Sequence, residues 1–469
     1  MESPNEERTG ACRRVWRWLK SFPEKLWQKI VEFAWRLVKL GKEDPRRIVH
    51  SIKVGLTITL VSIFYYFEPV YDGLGDCAMW AVLTVIVVFE FSVGATLGRG
   101  LNRMLATLVA GALGVGAHRI ATQLGGIGEP IVISVFVVLI AAIVTFMRFL
   151  PKMKARYDYG LMMFILTFCL ISVSSYRDDD TIHLALKRLT TIIVGSCASV
   201  IMCICVWPVW IGVDLHNQIA TNLEMLGSFL EGYADEYFKV SDEDGNSIDK
   251  SFLEGYKSVL TSKPSEENMA NLARWEPRHG RFRYRHPWKQ YLKVGTLARQ
   301  CGYKVEALHG YLLSEMQTPL EVRNRLMEPC TMISKESSKA LKELASTIRK
   351  MTKSSVPDLH VANSKAAAEN LKSVLKSDWS KDVDLFEIIP GAAVASVLME
   401  IATCTQQIAE AVLELESLAN FKRPKPRVTP EDHLQVIQHG INGPHDHVIT
   451  IDESSPTSGR NENSSTITR

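Results

Sequence analysis

Hydrophobic positions in this chain are segregated. They crowd between Val54 and Ile211, while the segments before Lys53 and after Asp214 are rich in charge. A helix crossing a bilayer needs about 20 mostly apolar residues. Runs near that length occur at Val54–Val70, Ala78–Gly94, Leu101–Ala117, Ile131–Leu150 and Tyr159–Tyr176, and a sixth starts near Asp180 and ends at Trp210. So many consecutive apolar runs could be buried in a soluble protein only under a very large shell, so they predict six membrane-spanning helices. Beyond Trp210 the spacing becomes that of amphipathic helices. The predicted helices are Leu215–Phe238, Ser251–Leu260, Glu266–Trp275, Trp288–Glu315, Leu320–Thr352, Asn363–Leu375 and Leu385–Leu418. The apolar stretch from Ile388 contains Pro390, Gly391 and Glu400, which fits a core helix better than a seventh span. Strand alternation is almost absent. The expected fold is all-α, a six-helix transmembrane domain followed by a cytosolic helical bundle. Its divisions are a leader at 1–48, a membrane domain at 49–212, a cytosolic helical domain at 213–421 and a disordered tail at 422–469.

Charge adds an orientation. The 54 Lys and Arg against 51 Asp and Glu give a net charge of only +3, which excludes a strongly basic nucleic-acid binder. A mean hydropathy of +0.03 averages the two unlike halves. Lys and Arg concentrate in the leader, in the link carrying Arg99 and Arg103, and in the link carrying Lys152, Lys154 and Arg156. The alternate links carry Asp72 and Asp76, then Arg119 and Glu129, then Arg177 with Asp178, Asp179 and Asp180. Basic links face the cytosol, so both termini are predicted there. The leader has no secretory signal. Its segment Cys12–Leu40 interleaves Trp16, Trp27 and Trp35 with basic residues and is broken by Pro23. It reads either as an amphipathic helix lying on the cytosolic leaflet or as one packed on the cytosolic bundle.

Catalytic constellations are missing. There is no phosphate-binding G-x-x-x-x-G-K-[ST] loop, no H-E-x-x-H and no G-x-S-x-G, so neither an enzyme nor an ATP-driven pump is expected. The cysteines read as reduced packing residues, and no metal site or cofactor is called for. Ionisable residues inside spans are a different matter, since each costs about 2.5–3.5 kcal/mol to insert. Arg103 heads a helix face continuing through Thr107, Ala110, Gly114 and Ala117. Arg188 heads a face with Thr191, Gly195, Ser199 and Met202. Two such helices entering from opposite sides can line a path favouring anions, with Lys187 at its outer mouth. The small residues have a competing role, letting helices approach closely. Glu90 would repel anions in a pore, and pairing with Arg99 or Arg103 is the expected alternative.

Several stretches carry a family resemblance. They are EDPRR at Glu43–Arg47, AMWAVLTVIVVFEFSVGATLGRGLNR at Ala78–Arg103, KARYDYG at Lys154–Gly160, PVW at Pro208–Trp210, and WEPRHGRFRYRHPWKQY at Trp275–Tyr291. Together they resemble the plant aluminium-activated malate transporters, over roughly Glu43 to Phe421. The resemblance implies a homodimeric anion channel that passes malate and other organic or inorganic anions. It also implies that Arg103 and Arg188 correspond to pore arginines, and that Trp275, Glu276 and Pro277 form a structural and regulatory element. Asp72 and Asp179 match acids implicated in extracellular cation sensing, while His183 stands where a further acid would help. Imidazole is a poor ligand for a hard trivalent cation, so activation by aluminium does not follow. The resemblance and the short tail favour the plasma membrane over the vacuole. The main competing reading is a coupled secondary transporter or exporter of organic acids.

Overall fold

A computed structural model of the chain describes residues 27–66, 78–125, 128–174, 181–238, 253–313, 320–376 and 385–423. Among these residues the secondary structure is helical, with only two isolated bridges, His279 to Phe282 and Thr352 to Lys422. The helices are α1 (residues 27–43), α2 (Pro45–Tyr66), α3 (Ala78–Val88), α4 (Val93–Thr122), α5 (Gly128–Met147), α6 (Pro151–Ser174) and α7 (Thr181–Cys205). They are followed by α8 (Ile211–Tyr237), α9 (Lys257–Leu260), α10 (Lys263–Ala273), α11 (Trp288–Leu313), α12 (Leu320–Lys350), α13 (Val356–Lys376) and α14 (Leu385–Ala419).

The helices through α7 expose apolar side chains in a way water would not tolerate. On α5 the large residues Ile131, Val135, Val138, Leu139, Ile143 and Phe146 are all exposed, and only Ile133 and Val144 are buried. An apolar surface of that extent calls for lipid around it. Helices α4, α5, α6 and α7 have the length and hydropathy to cross a bilayer. The described part of α3 has 11 residues, about 16 Å, roughly half the hydrocarbon thickness.

Boundaries differ from the sequence expectation: the first membrane-region helix starts at Pro45 instead of Val54, and α6 starts at Pro151 instead of Tyr159, so Lys152, Lys154 and Arg156 are helical and not in a link. The second run does not continue to Gly94, because α3 ends at Val88 and the chain turns through Phe89–Ser92. Ser92 then caps α4, its Oγ accepting from the Ala95 N–H at 3.3 Å. The glycine-rich segment carrying Arg99 and Arg103 is therefore the first turns of a 30-residue helix instead of a link.

The second half is a bundle with its own core. Leu215, Leu223, Tyr233, Tyr291, Val294, Ile333, Leu344, Ile401 and Val412 are among its fully buried members. Helices α8 and α12 run antiparallel, with the Ser334 and Ser338 hydroxyls donating to the carbonyls of Leu230 and Gly227 at 2.5 and 2.7 Å. Helices α11 and α14 are also antiparallel, tied by Gln290 to the Ala411 carbonyl and by the Lys304–Glu400 ion pair. The Ile388–Ala419 segment of α14 also has spanning length and hydropathy. Its Val394, Leu398, Ile401 and Val412 lie in the bundle core, however, so protein covers this apolar face.

The two antiparallel pairs give the bundle two ends. The starts of α8, α11 and α13 and the finishes of α12 and α14 collect at one of them. That end meets the apolar helices: the α10–α11 loop packs on the first turns of α4. Helix α1 stands exposed. Trp27, Ile30, Phe33, Trp35, Leu37, Val38 and Leu40 are all in the open. Among the described residues the leader helix is thus not packed on the bundle. The leader before Trp27, the link with Asp72 and Asp76, the link Ser175–Asp180 with Asp179, and the tail beyond Arg423 lie outside the described residues.

Candidate functional site

Arg103 lies ten residues into α4, about 15 Å from its start. It is buried, 6% exposed. One terminal nitrogen meets the Tyr159 hydroxyl at 3.3 Å and the Met163 sulfur at 3.4 Å, and its Nε has no partner. No acid among the described residues pairs with it. Glu90 pairs with Arg99, as one of the two expected alternatives had it. The face below Arg103 is packed: Thr107, Ala110, Gly114 and Ala117 are buried. A Cβ at Gly114 would stand 2.9 Å from the Ile171 side chain of α6. Those small residues serve close helix approach.

Arg188 is placed differently. Its guanidinium lies 3.3 Å from the Trp80 ring centroid, a cation–π contact between α7 and α3. Thr191 and Ser199 are buried and bond back to the carbonyls of Arg188 and Gly195, and Gly195 is pressed onto Ala81 and Thr84. Lys187 is exposed. The two arginines do not meet. Contacts of Gly100 with Ser196 and of Gly111 with Ala185 set α4 and α7 antiparallel. In that register Arg188 is level with Leu108, about 8 Å along the axis from Arg103.

Lys53 was read from sequence only as the last basic residue before the first span. It is 1% exposed, and its ammonium donates to the Trp207 carbonyl at 3.0 Å. Trp207 has φ +42°, so the α7–α8 link turns its carbonyl back onto Lys53. Like Arg103, Lys53 has no acidic partner among the described residues. No sequence signal marks this burial, because it depends on a left-handed residue 154 positions away.

The Trp275–Glu276–Pro277 element lies where the bundle joins the apolar helices. The Trp275 ring fills the space over Gly98, and the Leu272 carbonyl abuts Gly94, so α4 approaches only because these positions lack Cβ atoms. Arg156 of α6 sits 5.3 Å over the same Trp275 ring. The Val209 carbonyl accepts from the Val93 N–H at 3.1 Å, tying the PVW link to the start of α4. Glu276 caps α8: its carboxylate accepts from the Ile211 N–H at 2.6 Å and the Gly212 N–H at 3.2 Å. A negative group suits the positive end of a 27-residue helix. Burial nevertheless pushes its pKa up to about 7, with nearby Asp214 adding to the rise and the two N–H groups opposing it. His279 stacks on Trp210 at 3.9 Å and approaches the carboxylate to 3.8 Å, and burial lowers its pKa. This element joins α4, α6, α8 and α10. No group of three or more His, Cys, Asp or Glu is arranged to hold a metal among the described residues.

Comparison with known proteins fits this architecture. The family described as "Aluminium activated malate transporter" matches residues 38–383. Aluminum-activated malate transporter 2 of Arabidopsis thaliana is 49% identical over 430 residues, which cover 90% of this chain and 86% of that protein. Aluminum-activated malate transporter 1 of the same plant is 47% identical, covering 86% and 83% of the two chains. Aluminum-activated malate transporter 1 of Triticum aestivum is 42% identical over 439 residues, covering 91% and 94%. A match of this extent, on a chain of long apolar helices joined to a helical bundle, makes the protein a multi-pass membrane member of the aluminium-activated malate transporter family.

Proposed function

We propose that the chain is the subunit of a passive channel for malate and other organic or inorganic anions. It works as a homodimer in the plasma membrane of a plant cell, with both termini and the bundle in the cytosol. The observation that carries this reading is a pair of buried cations, Lys53 and Arg103, without an acid among the described residues to neutralise them. A buried charge is tolerated when something compensates it. Here the missing compensation is the permeant anion. Lys53 serves the inner end of the path, Arg103 the middle, and Arg188 with Lys187 the outer mouth. The relatives' names supply malate as the substrate class. Asp72 and Asp179 are the candidate outer cation-sensing carboxylates, and Trp275, Glu276 and Pro277 form the candidate regulatory element.

The test is voltage clamp of the expressed protein under a malate gradient. A channel gives currents whose reversal potential tracks the malate equilibrium potential. Electroneutral, saturable exchange without net current defeats the channel reading. Arg103→Gln should reduce malate conductance at least tenfold with surface expression retained. Normal conductance in that variant removes Arg103 from the path.

A further inference from the structure

The loop that carries Trp275 has a second property that the transport reading does not use. Between α10 and α11 it presents Arg274, Arg278, Arg281, Arg283, Arg285 and Lys289, all exposed. None of the six has an ion-pair partner among the described residues. The single acid in the segment, Glu276, is buried and turned inward to cap α8. The adjoining ends of α12 and α14 add exposed Lys350 and the nearby Lys353 and Lys422. These are held together by the Lys353 N–H to Lys422 carbonyl and Lys422 N–H to Met351 carbonyl bonds. The loop is joined to that edge as well, because Arg281 donates to the Lys350 carbonyl at 2.8 Å.

The display is rigid. Phe282 is buried between His216, His286 and Trp288 with ring centroids 5.1–5.6 Å apart. His279 and Phe282 exchange backbone bonds at 3.3 and 2.9 Å around Gly280, whose φ is +50°. The alternation is therefore fixed: Phe282 points in, while Arg281, Arg283, exposed Tyr284 and Arg285 point out. Arg285 holds a φ of +58°, an uncommon conformation for a residue with a side chain.

Location selects the ligand. The loop packs on Gly94 and Gly98 at the start of α4, beside Arg156 of α6. In the orientation proposed above, on which this step rests, the start of α4 lies at the cytosolic surface of the bilayer. Guanidinium groups bind phosphate oxygens through paired N–H donors and are preferred over ammonium where phosphate is recognised. Basic clusters at that depth attract anionic lipids. We propose that this arginine loop is a binding site for the headgroup of an anionic inner-leaflet lipid bearing several phosphates, such as a phosphorylated phosphatidylinositol. Because the same loop carries Trp275 against α4 and Glu276 on α8, a bound headgroup would brace the junction between the bundle and the pore helices.

The experiment uses the full-length protein in nanodiscs of phosphatidylcholine with or without 5% phosphatidylinositol bisphosphate, with bound lipid counted by native mass spectrometry. No transport is needed for this readout, so failure of the channel reading and failure of this one are separable. The wild-type protein should retain the inositol lipid. The triple variant Arg281→Gln, Arg283→Gln, Arg285→Gln should bind it at least tenfold more weakly, because three of the charges that attract the lipid phosphates are removed. A control, Lys335→Gln with Lys372→Gln on α12 and α13, should bind normally. The single change Arg283→Gln, which touches no backbone group, should weaken binding in part if the triple variant fails to fold. Equal retention by wild type and variant overturns the proposal. So does full competition by free inositol trisphosphate at a concentration equal to that of the lipid, which would assign the site to a soluble polyanion.

Discussion

Lys53 and Gly212 are two positions whose roles a single substitution each would test. Lys53 has its ammonium on a carbonyl where a structural ion pair would have a carboxylate. If its charge serves the anion path, Lys53→Met should lower malate conductance at least tenfold while thermal stability holds, since replacing a desolvated charge by an apolar chain of similar volume is often neutral or stabilising. A purely structural lysine would give the reverse, a lower melting temperature with conductance per channel unchanged. Gly212 has no spare room: a Cβ would stand 2.6 Å from the Trp288 ring and 2.9 Å from the Glu276 carboxylate. Gly212→Ala should therefore destabilise the purified protein by about 1–3 kcal/mol in a thermal unfolding assay, because overpacking forces its neighbours apart. A melting temperature equal to wild type would mean that the cap relaxes freely. Gly116, with open space around its Cβ position, is the matched site where alanine should be harmless.

At the scale of elements, the cap on α8 makes a pH prediction. The Glu276 carboxyl has a pKa near 7 in the folded chain, above its ordinary 4.5. A raised folded value means that the folded state holds the proton more tightly. The associated stability is fully present below about pH 4.5 and is lost as pH rises through about 7. Relative to Glu276→Gln, the wild type should thus lose stability between pH 5 and 8. Parallel melting curves for the two proteins across that range would show that the two N–H bonds outweigh burial. This element also shows where sequence reasoning reached its limit. Helical periodicity places α8, α11, α12 and α14 to within a few residues, because their apolar faces repeat at helical spacing. Gly98 and Gly100 instead read as part of a link between spans, and Gly94 as the last residue of the second run. In the structure all three are helical: Gly94 and Gly98 leave the space that the Leu272 carbonyl and Trp275, far along the chain, occupy, and Gly100 lies against Val88 and Ser196. The same distance effect hid the role of Glu276: nothing local announces that a carboxylate will cap a helix starting 65 residues earlier. Arg103 was legible as an intramembrane charge, but its small-residue face turned out to be a packing surface on α6.

For the molecule as a whole, the side of the membrane that the bundle occupies sets where every other part lies. Lys152, Lys154 and Arg156 begin α6, and Arg99 lies near the start of α4, so these four basic residues collect at the end that meets the bundle. That end also carries the arginine loop. If basic residues face the cytosol, the bundle, the loop and α1 all lie there. Helix α1 then has its lipid surface supplied, since a single residue, Asp44, separates it from α2, and Arg46 ties the start of α2 to Asp214 of α8 at 3.1 Å. The prediction is that trypsin added outside sealed, right-side-out vesicles leaves Lys263–Lys422 uncut, while permeabilisation exposes cleavage within that segment, at exposed basic residues such as Arg283 and Arg285. Cleavage there in sealed vesicles would invert the topology. It would also place Lys53 at the outer end of the path and move the lipid site to the opposite leaflet, so this one measurement constrains the channel and the loop together.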